Sequence, residues 1–153
     1  MKVLILSHNT GGGHNSVAKA LKEEFSKHDI ECNIAYAKNL SKFIEENKYD
    51  VVIVTHLFPG YTLTFLNKKQ KNIHFITIST DYVCMPLWQE VKPDYYVIPS
   101  KDLINSFVKR GINKKEILPF GIPVSSKFKN RVNMFESRKK LKLPIDKKIA
   151  LIM

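Results

Sequence analysis

The sequence predicts an α/β protein with a doubly wound, mainly parallel sheet of the Rossmann-like type. Two observations lead to this fold class. Short apolar segments alternate along the chain with longer amphipathic ones, which is the pattern of β-α units. The apolar segments also lack polar alternation, as strands do when both faces of a parallel sheet are covered. The 153 residues suffice for one compact domain with a real core but hardly for two.

The predicted elements follow one another in regular order. Strands are predicted at residues 2–7, 30–36, 50–55, 73–79, 95–98 and 117–118. Helices are predicted at 15–27, 40–47, 62–71 and 101–110, and Gly111 ends the last of these. We expect the strand order 3-2-1-4-5, which makes the first and fourth strands neighbours. A basic helical stretch at 132–143 and a strand-like run at 149–153 follow.

The formal net charge of +11 is concentrated late in the chain. Residues 101–148, the basic third, carry 14 Lys and Arg against 4 Asp and Glu, whereas the remainder is nearly neutral. This asymmetry indicates an anionic partner surface, or a face that another domain covers. No apolar run reaches the length of a membrane span, and the first one is too short for a signal peptide. Two cysteines without metal-ligand spacing indicate reduced thiols in a cytoplasmic protein.

A glycine-rich loop between the first strand and the first helix is the first candidate site. Its glycines let the backbone approach a ligand, and the helix N-terminus offers free N–H groups. The spacing matches neither a dinucleotide fingerprint nor a P-loop. Because the helix dipole disfavours an imidazolium there, we expect His14 to be a neutral base; a glycine turn with a solvent-facing histidine is the alternative. The loop contains Thr10, Gly11, Gly12, Gly13, His14 and Asn15.

Asp81 is the second candidate, because it follows the fourth strand directly. Parallel strands end at one edge of a sheet, so with the expected strand order Asp81 would lie beside His14 and could orient it. Capping of a turn or helix is the alternative role for this carboxylate. Trp88, the single tryptophan, could wall a sugar or lipid site or pack in the core. His56, after the third strand, is a second-line candidate.

The stretch from 56 to 71 combines aromatic and aliphatic side chains with lysines, as an interfacial membrane helix does. A crossover helix packed on the sheet explains the same pattern. Both interpretations hold together if part of the apolar face stays uncovered. The candidate membrane contacts are Phe58, Tyr61, Phe65, Lys68, Lys69 and Lys71.

Five motifs, taken together, resemble one family. Their order and spacing are similar to those of the monogalactosyldiacylglycerol synthase and processive diacylglycerol glucosyltransferase family. The resemblance implies a GT-B glycosyltransferase made of two Rossmann-like domains, in which the N-terminal domain takes the lipid acceptor at the membrane and the C-terminal domain binds the nucleotide sugar. The motifs are Asn9–Asn15 with the helix after it, Thr80–Tyr82 with Trp88, Tyr95–Val97, Gly121–Val124 with Phe128, and Leu151–Met153.

The resemblance also implies a division of the chain and a set of site residues. It implies a Rossmann-like acceptor-binding domain at 1–125, a basic linker and helix at 126–148, and at 149–153 the first strand of an absent nucleotide-sugar-binding domain. The proposed catalytic base of the family lands on His14, and Asp81 matches the family's Thr-Asp motif. The implied acceptor-binding residues are Thr10, Gly11, Gly12, Gly13, Asn15, Pro59 and Trp88.

Two departures from the family pattern bear on the acceptor. Met85 stands where relatives usually carry a histidine, and the connection at 37–49 is shorter than their aromatic-rich insertion. Apart from these departures, the resemblance implies half of an inverting hexosyltransferase that moves a hexose from a UDP-sugar to diacylglycerol at the inner face of the cell membrane. The departures predict that this chain holds its acceptor in a different way, or uses a different acceptor.

The chain alone is not expected to transfer sugar, because the UDP-sugar would bind the absent domain as a co-substrate. No cofactor and no metal are implied. The main alternative is a non-enzymatic module that docks on an anionic membrane or nucleic acid through the basic third, with nucleic acid the less favoured partner. A GT-B enzyme with a soluble glycan acceptor is a further alternative, and it predicts no binding to lipid vesicles.

Overall fold

The computed structural model describes residues 1–7, 12–36, 40–130 and 132–150. Six strands form one sheet, and every pairing between them is parallel. This confirms the doubly wound, Rossmann-like α/β class. The strands are β1 (Lys2–Ser7), β2 (Glu31–Tyr36), β3 (Val51–Val54), β4 (Phe75–Ile78), β5 (Tyr95–Val97) and β6 (Ile117–Leu118).

The helices follow the predicted order, and all but the second have shifted ends. The third helix begins five residues earlier than predicted, because His56 caps it. The stretch at 101–110 divides into a 3-10 turn and a short α-helix. Ile149 and Ala150 lie in no strand, and residues 151–153 lie outside the described part of the chain. The helices are α1 (Gly12–Ser26), α2 (Leu40–Asn47), α3 (Leu57–Lys68), α4 (Ile104–Lys109) and α5 (Met134–Lys140).

The strand order corrects the expected 3-2-1-4-5. The sheet runs β2-β1-β3-β4-β5-β6, so β1 pairs with β3 and is not a neighbour of β4. The chain crosses to the other side of β1 after two strands instead of three, which places the switch point between β1 and β3. The loop after β3 therefore stands where the loop after β4 was expected.

The core has two layers, one on each face of the sheet. Alternate residues of β1 divide between them: Val3 and Ile5 face α1, whereas Leu4 and Leu6 face α2 and α3. Both sets are at most 1% exposed, which explains why this strand has no polar alternation.

Close packing fixes α3 against the segment after the 3-10 helix Trp88–Glu90. A Cβ added to Gly60 would lie 2.9 Å from Cγ1 of Val91, so this approach depends on the glycine. The hydroxyl of Thr64 accepts a hydrogen bond from the backbone N–H of Lys92 at 2.9 Å. These contacts hold the two segments that carry the walls of the candidate site.

Glu23 on α1 fastens the segment after β6 to the body of the domain. Its carboxylate accepts hydrogen bonds from Ser126 and, at 2.7 Å, from the hydroxyl of Ser125. The Ser126 hydroxyl foremost, and then that of Ser125, lowers the pKa of Glu23 from 4.5 to about 2.

Acid is therefore expected to weaken this contact. A lowered pKa in the folded state means that the stabilisation is complete above pH 4.5 and is lost as the pH falls toward about 2. We expect the unfolding midpoint of the wild-type chain to decline across that window more steeply than the midpoint of Glu23→Gln, measured by far-UV circular dichroism. Glu46→Gln, at an exposed position of α2, is the control. Equal slopes for the wild type and Glu23→Gln would contradict the expectation.

Candidate active site

The switch point between β1 and β3 is where a doubly wound sheet binds its ligands, outside the carboxyl ends of the strands. A cleft of about 210 Å³ lies there. It brings together three predicted site residues that are distant in sequence, namely His14, Asp81 and Trp88. The lining residues are His14, His56, Leu57, Phe58, Asp81, Met85, Pro86 and Trp88.

His14 lies half-buried in the first turn of α1, as the sequence predicts. Its Nδ1 lies 3.4 Å from the hydroxyl oxygen of Thr80. Its ring meets the ring of His56 edge-on, with centroids 4.7 Å apart and planes at 84°. When Nδ1–H donates to Thr80, the lone pair stays on Nε2, and this is the form of the ring that can accept a proton there.

Asp81 lines the same cleft as His14 but is not its hydrogen-bond partner. Both residues are described, and no hydrogen bond or ion pair joins them; the contact to His14 comes from the preceding residue, Thr80. The reason lies in the strand order, because the loop after β4 is one strand further from β1 than expected. The role of Asp81 in orienting His14 stays a prediction, and Thr80 is a functional candidate that sequence reasoning missed.

His56 is the second-line candidate that the structure places directly against His14. It is the N-cap of α3, with an extended backbone at φ −143° and ψ 150°. Its Nδ1 accepts a hydrogen bond from the backbone N–H of Phe58 at 3.3 Å, and its ring contacts the ring of Phe58 at 5.1 Å. Its position directly after β3 is the sequence signal, and that signal becomes decisive once β3 neighbours β1.

Trp88 lines the cleft and also belongs to the core, and its role in holding a sugar or a lipid stays a prediction. It is 4% exposed and packs in the same apolar cluster as Val91 and Tyr96. Pro59 is buried in the first turn of α3 and is not among the residues that line the cleft. Its role in acceptor binding stays a prediction.

The glycine-rich loop is described only in part, because Thr10 and Gly11 lie outside the described residues. Gly12 and Gly13 are exposed and begin α1. The side-chain oxygen of Asn15 accepts a hydrogen bond from the hydroxyl of Ser7 at 2.7 Å. This bond ties α1 to the end of β1 and so holds the adjacent His14 at the cleft.

The predicted membrane contacts are spread along the whole length of α3, and their role stays a prediction. Phe58 is 62% exposed and lies beside the cleft, whereas Lys68 lies roughly 15 Å away along the axis of α3. The hydroxyl of Tyr61 donates to the carbonyl of Leu87 at 3.0 Å. At the far end of the helix, the ammonium group of Lys69 lies 4.5 Å from the ring centre of Phe65, and Lys71 pairs with Glu45 at 2.7 Å.

The loop after β4 adds apolar side chains that the sequence did not single out as membrane contacts. The four side chains on this loop are 44 to 71% exposed. We group them with Phe58 and call the set the apolar rim. Met85, the residue that departs from the family pattern, belongs to it and lines the cleft. An exposed apolar surface next to a cleft marks an interaction site. The rim consists of Phe58, Tyr82, Val83, Met85 and Leu87.

The basic third keeps its charge uncompensated on the surface. In the parts of it that the structure describes, 101–130 and 132–148, no Lys or Arg forms an ion pair within 4.0 Å. Arg138 instead donates to the backbone carbonyls of Pro144, Ile145 and Lys147 at 2.8 to 3.0 Å. This hook closes the turn that follows α5.

No group of His, Cys, Asp and Glu in the described ranges is arranged to hold a metal ion. No helix in those ranges is long and apolar enough to cross a membrane. Cys32 and Cys84 are both free and buried, and burial raises the pKa of both thiols, which makes them weak nucleophiles.

The fold and the cleft define this chain as a Rossmann-like domain of the GT-B type. Two solved UDP-GlcNAc 2-epimerases share the fold, one from Neisseria meningitidis with a TM-score of 0.56 and one from Methanocaldococcus jannaschii with 0.55. Each is 16% identical and matches 77% of this chain and 45% of its own, and at that identity the likeness shows the fold alone. The family model for monogalactosyldiacylglycerol (MGDG) synthase matches residues 30–124, and the chain belongs to this family.

Curated relatives agree with the family that the five motifs indicate. An uncharacterised glycosyltransferase of Bacillus subtilis, YkoN, is 27% identical over 61% of this chain and 25% of its own length. Monogalactosyldiacylglycerol synthase 3 of Arabidopsis thaliana is 28% identical over 77% and 26%. The processive diacylglycerol β-glucosyltransferase of Bacillus mycoides is 25% identical over 99% and 52%. The chain thus spans a quarter to half of the length of these relatives.

Proposed function

We propose that this chain is the acceptor-binding half of a membrane-associated glycosyltransferase, which moves a hexose from a UDP-sugar to the hydroxyl group of diacylglycerol with inversion at the anomeric carbon. The observation that carries this proposal is the cleft, because it sets a histidine at the switch point beside an apolar rim. Membership of the MGDG synthase family supports sugar transfer, and the names of the curated relatives supply the acceptor.

In this proposal the reaction is a single displacement. The acceptor oxygen forms a bond to the anomeric carbon while the bond from that carbon to the diphosphate breaks, and the electron pair leaves with UDP. Nε2 of His14 takes the proton of the hydroxyl, and Nδ1–H donates to Thr80. The carboxylate of Asp81, in the same cleft, favours the positive charge that then develops on the imidazole.

The shape and polarity of the cleft suit a diacylglycerol. The one free hydroxyl and the glycerol carbons of this lipid fit a cleft of about 210 Å³ that Trp88 lines on one side. Its two acyl chains need an apolar environment, which the apolar rim offers where it meets the acyl region of a bilayer. Met85 adds apolar surface at the point where relatives usually carry a polar contact.

Two further features support a peripheral protein on an anionic inner leaflet that works with a donor-binding half. Uncompensated lysines and arginines near such a surface contribute about 1 kcal/mol each. Apolar side chains in the segment after β6 are strongly exposed, among them Phe120 (76%) and Phe128 (71%). Such exposure is typical of a face that packs on another domain. Transfer therefore requires the half that holds the UDP-sugar, together with the half described above.

Flotation with lipid vesicles tests the acceptor. We expect vesicles that contain diacylglycerol to bind the chain several-fold better than vesicles of equal charge without it. Phe58→Ser is expected to reduce this difference, whereas Phe128→Ser, a matched change at an exposed phenylalanine outside the cleft, is expected to preserve it. Equal binding with and without diacylglycerol overturns the proposed acceptor.

The uncompensated charge of the basic third favours a second candidate function, a non-enzymatic module for an anionic membrane or nucleic acid. A gel-shift assay with DNA, run beside the flotation assay, separates the two. The second candidate predicts DNA binding as strong as vesicle binding and no response to diacylglycerol. A soluble glycan acceptor, in contrast, predicts no vesicle binding.

A further inference from the structure

We propose that His56 is a positioning residue that fixes the ring of His14 in the orientation that transfer requires. The proposal takes its chemical meaning from the proposed function, but it stands on geometry that is independent of that function. In the described part of the chain, the ring of His14 meets Thr80 at Nδ1 and His56 edge-on. They come from the ends of different strands, β4 and β3.

The backbone holds His56 itself in place. As the N-cap of α3 it gives the lone pair of Nδ1 to the N–H of Phe58, so the neutral ring carries its proton on Nε2. A proton on Nδ1 would face the donor of Phe58 and would add positive charge at the N-terminus of a helix, where the dipole disfavours it. The ring of Phe58, at 5.1 Å, limits its movement on another side.

A fixed His56 restricts the ring of His14. A half-turn of His14 about its Cβ–Cγ bond would exchange Nδ1 for a carbon and break the contact with Thr80. The edge-to-face contact with His56 at 84° favours one ring plane over the alternatives, as such contacts do between aromatic rings. The contact with Thr80 therefore decides which nitrogen of His14 carries the proton. His56 keeps the ring of His14 in the plane that allows this contact.

Two substitutions separate this role from helix capping. His56→Asn keeps a side-chain oxygen that can accept the Phe58 N–H, but it removes the ring. His56→Phe keeps a ring of similar shape, but it removes the acceptor. If His56 positions His14 through its ring, the asparagine variant disturbs His14 and the phenylalanine variant does not, although the latter weakens the start of α3.

Imidazole ¹⁵N resonances of His14 in the full chain are the readout, because they report which ring nitrogen carries the proton. In the wild type we expect one tautomer, protonated on Nδ1. In His56→Asn we expect a mixture of two tautomers at unchanged helix content, and in His56→Phe a return to one. A single wild-type tautomer in His56→Asn overturns the positioning role.

Kinetics supply an independent arm, in a protein that joins this chain to a donor-binding half. An edge-to-face ring contact of ordinary strength corresponds to a loss in kcat of about twofold to tenfold for His56→Asn, with KM for diacylglycerol unchanged. A wild type without any transfer would overturn the proposed function, while the His14 resonances would still decide the positioning role. A change in KM without a change in kcat for His56→Asn would contradict the positioning role.

Discussion

Replacing His14 with alanine is expected to lower the rate of sugar transfer by a factor of about 10² to 10⁴, the usual contribution of a positioned general base. The loss follows from its place at the switch point, where Thr80 and His56 orient the ring. The fold should survive, because His14 is half-exposed in the first turn of α1 and lies outside both apolar layers. Transfer is measured with UDP-glucose or UDP-galactose and diacylglycerol vesicles, in a protein that also carries a donor-binding half.

Two variants sharpen this test. His28→Ala, at an exposed position just after α1, removes an imidazole elsewhere and is expected to leave transfer unchanged. Thr80→Val keeps the β-branched shape but removes the hydroxyl at Nδ1, so we expect a loss of about tenfold, the size of one hydrogen bond. Transfer by His14→Ala at the wild-type rate would contradict the assignment of the base.

The local pattern of apolar residues predicts which segments are strands and which are helices. A strand buried on both faces is a continuous apolar run, whereas a helix that covers the sheet has one apolar face. The runs at 2–7 and 40–47 match β1 and α2 to the residue. Strand order, in contrast, cannot be read from the pattern within any one segment. It depends on which side of β1 the third strand joins, and that choice is made by contacts between segments about 50 residues apart.

The unpredicted strand order decides which candidate site residues the sequence could identify. His14 and Trp88 reach the cleft whichever side the chain crosses, so motif reasoning found them. His56 becomes a neighbour of His14 only because β3 lies beside β1. Asp81 attracts attention by residue type, since a carboxylate is the usual partner of a catalytic imidazole. The backbone instead presents Thr80 to His14, and residue type alone does not predict a hydroxyl in that place.

Trp88 joins the cleft to the core, and the largest effect on stability is expected there. Trp88→Ala should lower the free energy of unfolding by about 3–5 kcal/mol, the range for removing a large buried aromatic side chain. The residue is 4% exposed and packs in the same apolar cluster as Val91 and Tyr96, so its removal leaves a cavity among them. Urea unfolding followed by far-UV circular dichroism is the measurement, because Trp88 is the only tryptophan and its fluorescence is lost with it.

A neighbouring residue supplies the control for this prediction. Tyr82 lies on the same loop but is 71% exposed, so Tyr82→Ala should change the free energy of unfolding by less than about 0.5 kcal/mol. Trp88→Phe retains most of the buried volume and should fall between the two. If the fold of Trp88→Phe persists while binding to diacylglycerol vesicles weakens, the indole has a role in the cleft beyond packing. If Trp88→Ala were as stable as Tyr82→Ala, the cleft wall would not belong to the core.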